Sequence, residues 1–176
     1  MSFAVVRTDN MYGVDVRAGL VSIEYMGADG ETPTAIENGN VLKVENLMAH
    51  ENGDTVDYER EIFVGSAPAA NTNLHEVVLV ASPELMYDER KRNLDEFINE
   101  AGRPCRGYRL HHGDIFSVTK EALDGVEQPA IGNVVELKAG TKLNVAAEAT
   151  SGSTAVGKII AIDVVGRYTY YVILVG

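Results

Sequence analysis

"GKIIAIDVVG" (157–166), running directly into "RYTYYVILVG" (167–176), decides the fold. Both runs are dense in β-branched and aromatic residues, the side chains that fit a pleated, half-buried surface. Between them stand Val165, Gly166 and Arg167, and glycine supplies the positive φ that a tight turn needs. The chain therefore ends in a β-hairpin. Working back from it, "KLNVAAEA", "IGNVVELK" and the strand–turn–strand of "CRGYRLHHGDIFSV" follow the same pattern of short β-prone runs cut by turn formers. Further towards the N-terminus, "HEVVLVAS", "EIFVG", "NVLKVENL" and "VDVRAGLVSIEYMG" are strand candidates, with "AHENGDTVDYERE" as an acidic loop.

One segment departs from that rhythm. In "NLDEFINEAGRP", Leu94, Phe97, Ile98 and Ala101 recur at helical spacing. Asn93 and Glu96 suit a reciprocal N-cap, and Gly102 with Pro104 suits a stop. The sum predicts a mainly β chain: an antiparallel β-sandwich or barrel with one short inserted amphipathic helix at about 93–101. The expected layout is an N-terminal arm or first strand (1–20), a β-rich part (21–82), a helical insertion (83–106) and a β-barrel-like C-terminal part (107–176). These form one compact unit or two small β subdomains.

"SGSTAVGKII" (151–160) carries most of a phosphate-cradling loop: Gly152, four residues, then Gly157 and Lys158. A working loop needs a Ser or Thr after the lysine to hold magnesium, and an exit helix whose amides face the phosphates. Ile159 follows the lysine, and "IIAIDVV" is β-branched, so no nucleotide is expected here. The stretch is read as a hairpin connection between "KLNVAAEA" and "KIIAIDVV".

Other chemistry is equally thin. Cys105 is the single cysteine, which excludes an internal disulfide and suits the start of a strand after Pro104. His111 and His112 are adjacent, so in a strand they point to opposite faces and suit a turn with Asp114 better than a shared metal ion. No G-x-S-x-G elbow is present, and the Glu51–Glu61 stretch lacks the order of an EF-hand loop. No catalytic, cofactor-binding or metal-binding residue is assigned, and the chain is expected not to be an enzyme. The second reading is a small β-barrel ligand-binding module or hydrolase, with a pocket lined by His111, His112, Asp114 or Cys105.

The net charge of −11 is uneven. Residues 1–82 hold thirteen acids against four bases, whereas 83–130 hold ten against seven. An acidic surface repels phosphate backbones, so nucleic acid is not an expected partner. No apolar run reaches the ~18 residues that cross a bilayer, and no secretory leader is visible, so no membrane partner is expected and synthesis in the cytoplasm is. The exception to the acidity is the group Arg90, Lys91, Arg92, Arg103, Arg106 and Arg109, either a solvated face or a basic patch that meets an acidic patch on another copy or partner.

The phrases "GDIFSVTKEAL" (113–123), "IGNVVELKAGTKLNVAAE" (131–148) and "GKIIAIDVVGRYTYYVILV" (157–175) together resemble the head decoration, or auxiliary capsid, proteins of tailed bacteriophages over residues 107–176. That resemblance implies a non-enzymatic virion protein on the capsid surface. It would bind the major capsid protein and copies of itself, and stabilise the assembled shell. A head-fibre, neck or tail component is the neighbouring alternative. The contact residues expected for such a role are Phe3, Val5, Arg7, Met11 and Tyr12 in the N-terminal segment, with Arg90 and Arg92 in the basic group. The N-terminal segment, which also holds Arg17, is either an arm that adds along a neighbour's strand edge or the first strand of this chain's own sheet.

Overall fold

The computed structural model describes residues 2–15, 19–52, 55–88 and 90–176. Within them the chain is mainly β. In order come β1 (Val6–Asn10), one helical turn α1 (Tyr12–Asp15), β2 (Leu20–Tyr25), β3 (Val41–Asn52), β4 (Thr55–Ser66), β5 (Val77–Val80) and β6 (Cys105–Arg109). They are followed by β7 (Ile115–Val118), β8 (Leu123–Gly125), β9 (Val134–Glu136), β10 (Leu143–Ala146), β11 (Ala155–Val165) and β12 (Tyr168–Val175).

The strands form two curled sheets. One, ordered β2-β4-β3-β5-β6, closes on itself when β6 pairs back onto β2. The other is open and runs β1-β7-β12-β11-β9-β10-β8. Pairing is antiparallel except at β2–β4 and β8–β10, which are parallel. The wholly antiparallel expectation is corrected there.

β5 is the wall shared by the two interiors. Its four residues, "VVLV", are all fully buried, and successive side chains of a strand point to opposite faces. Val78 and Val80 pack inside the barrel with Ile23, Leu42 and Cys105. Val77 and Leu79 pack with Phe116, Val118, Leu143, Ile159 and Ile173 in the larger core between the sheets.

The C-terminal hairpin forms as expected. β11 and β12 pair from Gly157↔Val175 to Val165↔Tyr168, leaving Gly166 and Arg167 as a two-residue turn. Gly166 has φ 62°, the first-position geometry of a type II′ turn. The loop after β10 differs from expectation. β9 lies between β10 and β11, so residues 147–154 cross the end of β9 instead of joining neighbours. Glu136, the last residue of β9, holds that crossing: it accepts from the Thr150 N–H at 2.9 Å and from Asn144 Nδ2 at 2.8 Å. Burial opposes the Glu136 charge, but these bonds outweigh it and keep the carboxyl below its ordinary range.

The helix expected at about 93–101 does not form. Only Leu94–Glu96 turn, as a single 3-10 turn, and Phe97 is already extended (φ −85°, ψ 137°). The Asn93–Glu96 pairing is present, since the Glu96 carboxylate accepts from the Asn93 N–H at 2.8 Å, yet it closes only that one turn. Beyond it, Asn99 exchanges two backbone bonds with Ile36 at 3.0 Å each, and its side chain donates to the Ile36 carbonyl. A short helix gains little by itself in water, and the bridge to Ile36 offers the same backbone groups better partners. The Leu94/Phe97/Ile98/Ala101 stripe is therefore no core face: Leu94 and Ala101 are exposed, and Asp95 is buried instead.

Candidate interaction surfaces

The N-terminal segment is strand β1 of the chain's own sheet, with Val6 opposite Val118 and Arg7 opposite Ser117. Val5 and Met11 are buried in the interior, so they are withdrawn as contact residues. Val5 and Met11 flank β1, just before and just after it, and the pairing of that strand with β7 brings them inside, which linear sequence does not distinguish from an exposed arm. Phe3 is half-buried, its N–H bonded to the Asp95 carbonyl at 2.9 Å. Arg7 lies over the Tyr170 ring at 4.3 Å and bonds Asp163 at 2.9 Å, which commits it to its own sheet. Tyr12 alone of this group is exposed; its ring packs against His111 at 4.3 Å. Arg17 lies outside the described residues.

Asp95 ties the ends of the chain together. Its carboxylate accepts from Ser2 Oγ at 2.9 Å, from Tyr168 Oη at 2.9 Å and from Arg167 Nη2, while Arg167 also lies over the Tyr168 ring at 5.2 Å. Burial would raise this carboxyl, but the bonds from Tyr168, Arg167 and Ser2 win and lower it.

Asp95 sits in a long connection, residues 81–104, whose described part contains a single 3-10 turn. Connections beyond about 15 residues without structure of their own are uncommon in compact domains and are often functional. Its middle presents Leu85 at 69% exposure and Tyr87 at 90%, followed by Arg90, Lys91 and Arg92, all exposed. Arg90 is held by Asp88 at 3.1 Å and keeps its guanidinium in solvent. Arg90 and Arg92 thus belong to this connection, whose Asp95 also holds the N-terminal Ser2 and Phe3.

A second surface was not foreseen. The stretch expected to be an acidic loop forms the outer part of the β3–β4 hairpin. At its base this ribbon is flanked: Val41–Lys43 pair with β5, and Ile62–Gly65 with β2. Farther out the two strands pair only with each other, from Ala49↔Tyr58 to Asn52↔Thr55. Val56 and Tyr58 are 55% and 56% exposed there. The outer pairs run in unbroken register, separated from the base by the shift between Leu47 and Ala49, and the acidic, polar composition there reads as a loop.

The residues considered for chemistry are placed apart. Asp114 is buried and accepts from the backbone N–H groups of Tyr12 (2.7 Å) and His111 (2.9 Å), so "HHGD" is a turn, with Gly113 at φ 92°. Cys105 opens β6 at the other end of that strand, its thiol donating to the Ile23 carbonyl at 3.1 Å. It borders a cleft of about 550 Å³ whose lining includes Val21, Phe63 and Arg106 but not His111, His112 or Asp114. Among the described residues no three His, Cys, Asp or Glu side chains are grouped to hold a metal ion, and no helix is long and apolar enough to cross a membrane. Lys158 stands within β11, opposite Leu174, in place of a helix N-terminus.

Burial pushes the Cys105 thiol up to about 12. Since the thiolate is the reactive form, native protein is expected to react with a thiol reagent at least ~100-fold more slowly than unfolded protein at pH 8. Ellman's assay with and without denaturant checks this; equal rates would place the thiol on the surface.

What these features define is a class by fold alone: a mainly β chain of two curled sheets, one of them closed. No protein-family model, curated protein or solved structure matches it.

Proposed function

We propose that this chain is a non-enzymatic virion structural protein that binds the outside of an assembled phage capsid, through its major capsid protein, and stabilises the shell. Its site of action would be the capsid surface, after synthesis in the host cytoplasm. The observation that carries the reading is the placement of the outer β3–β4 ribbon and the 81–104 connection. Both extend from a closed β body and present aromatic and aliphatic side chains to solvent. An isolated two-stranded ribbon is marginal in water, so such an element gains order by docking. The phrases that resemble decoration proteins supply support from a separate direction, since they form strands β7 to β12 of the open sheet.

The mechanism needs no reaction. A protein that binds the assembled shell in preference to free subunits stabilises assembly by mass action, about 2.7 kcal/mol per site at a hundredfold excess over its Kd. Many weak copies on a symmetric lattice add through multivalency. The acidic surface suits a protein partner better than packaged nucleic acid.

The test is cosedimentation of the purified chain with undecorated shells assembled from the capsid protein of the phage that encodes it. Saturable binding, together with a rise in the temperature at which shells disassemble, is the expected result. Shells that neither retain the chain nor gain stability would overturn the proposal.

A further inference from the structure

We propose that two copies of this chain pair through the outer half of β11, edge to edge and antiparallel, so that the open sheet of one copy continues into that of the other. β9 pairs with β11 only at Ala155, Gly157 and Lys158, and the last backbone bonds on that side join Ile159 to Gly132 and Asn133. On the other side β12 keeps pairing as far as Val165↔Tyr168. Those two residues flank the two-residue turn and bond each other, and bonding alternates along an antiparallel pair. Asp163 and Tyr170 therefore bond as well, whereas the backbone groups of Ile162 and Val164 point away from β12. Among the described residues no other strand pairs with that edge.

The side chains suit water no better than the open backbone does. Ile159, Ile162 and Val164 lie opposite Ile173, Tyr171 and Thr169, so they share one face. Along it exposure climbs from 1% to 38% to 73%, and the apolar face runs on past the end of the core. Charges and short length guard natural sheet edges against pairing. β1 carries Arg7 and Asp9, and β8 is three residues long with Asp124 among them. From Ile160 to Val165 only Asp163 is charged, and Arg7 neutralises it at 2.9 Å.

Charge and pattern select a second copy as the occupant. Copies that each carry −11 repel in general, but residues 131–176 hold three acids and four bases, in contrast to the acidic excess of both earlier parts. The β11 edge lies in the one part of the chain where like copies approach without that repulsion. The edge also matches itself. Turned antiparallel, Ile162 of each copy faces Val164 of the other, their N–H and C=O groups bond, and their side chains form apolar cross-strand pairs. A two-fold axis then passes at Asp163, whose charge each copy's own Arg7 offsets. The contact is isologous and closes as a dimer. This inference does not rest on the capsid reading: self-pairing without shell binding, or the reverse, separates the two.

Sedimentation velocity of the wild-type chain should show a species of twice the 19.0 kDa chain mass. Val164→Lys adds a charge to the edge and Val164→Pro removes its outward N–H. Each should raise the dissociation constant at least ~tenfold and keep the far-ultraviolet circular dichroism of the wild type. Thr169→Lys, on the same face but one strand in from the edge, should pair as the wild type does. In the wild-type chain, NMR hydrogen exchange at the Ile162 and Val164 amides should slow as protein concentration rises. A wild-type chain that stays monomeric, edge variants that pair as it does, a Thr169→Lys chain that dissociates as they do, or Ile162 and Val164 amides whose exchange ignores concentration would each overturn the proposal.

Discussion

Gly157→Ala is expected to destabilise the fold by about 3 kcal/mol or more, while Gly152→Ala costs about 1 kcal/mol and Lys158→Ala almost nothing. A Cβ at Gly157 would lie 2.8 Å from the carbonyl carbon of Leu174 and closer still to its oxygen. Those are backbone atoms of the paired strand β12, which cannot rotate away as a side chain would. Relief would require prising β11 from β12 at Gly157↔Val175, next to the irregularity between Ile159 and Ala161. Gly152 differs. Its φ of 88° disfavours other residues, but nothing lies within 4 Å of an added Cβ. Lys158 is exposed. In a phosphate loop all three positions would act on one ligand. Here they should act on stability alone, and in steeply unequal measure. Chemical denaturation of the three variants checks the ranking, and equal losses for Gly157 and Gly152 would contradict the close approach.

Asp95→Ala should cost about 3 kcal/mol, near the lower end for stranding one member of a buried ion pair. The lower end applies because the Arg167 side chain is 55% exposed and can recover solvent, whereas Tyr168 and Ser2 simply lose an acceptor. For a chain of this size the loss corresponds to roughly 6–12 °C in melting temperature. The pH dependence has a definite sign. The folded Asp95 carboxyl is held below its unfolded value, so the unfolded state binds the proton more tightly. Its contribution is therefore complete above about pH 4, the ordinary aspartate range, and is lost as pH falls through the lowered folded value. Glu136 acts in the same direction. Asp95→Asn keeps the shape without the charge, so its deficit against wild type should shrink as pH drops from 7 to 2. Melting curves at a series of pH values measure this, and a deficit constant with pH would mean that the charge at Asp95 contributes nothing.

Two segments depart from their local pattern for different physical reasons. The 93–101 segment has the spacing and cap of a helix, and the cap is there, but Asn99 found a strand partner in Ile36, sixty-three residues away. The N-terminal segment shows apolar residues ahead of the first clear strand. Whether Val5 and Met11 face a neighbour or the interior depends on where β7 lies, which no local pattern contains. The ribbon surface was illegible for a related reason. Its acidic, polar composition suits a loop, and only its flanks reveal that the strands continue past their partners.

Local chemistry settled some matters without help from the fold. Gly166 between two β-branched runs fixes the terminal hairpin, because turn geometry needs a positive φ and the runs need a sheet. Ile159 after Lys158 and the absence of an exit helix exclude the phosphate loop, and the Cys105 strand start and the "HHGD" turn likewise follow from neighbours in sequence. What only the tertiary structure decided is everything that depends on distant pairing: the closure of β6 onto β2, the sharing of β5 between two interiors, the burial of Asp95 under Arg167 and Tyr168, and the exposure of the outer β3–β4 ribbon. The reason is that a strand satisfies only half of its backbone and one face by itself. Its partner and its buried side are set by residues far along the chain.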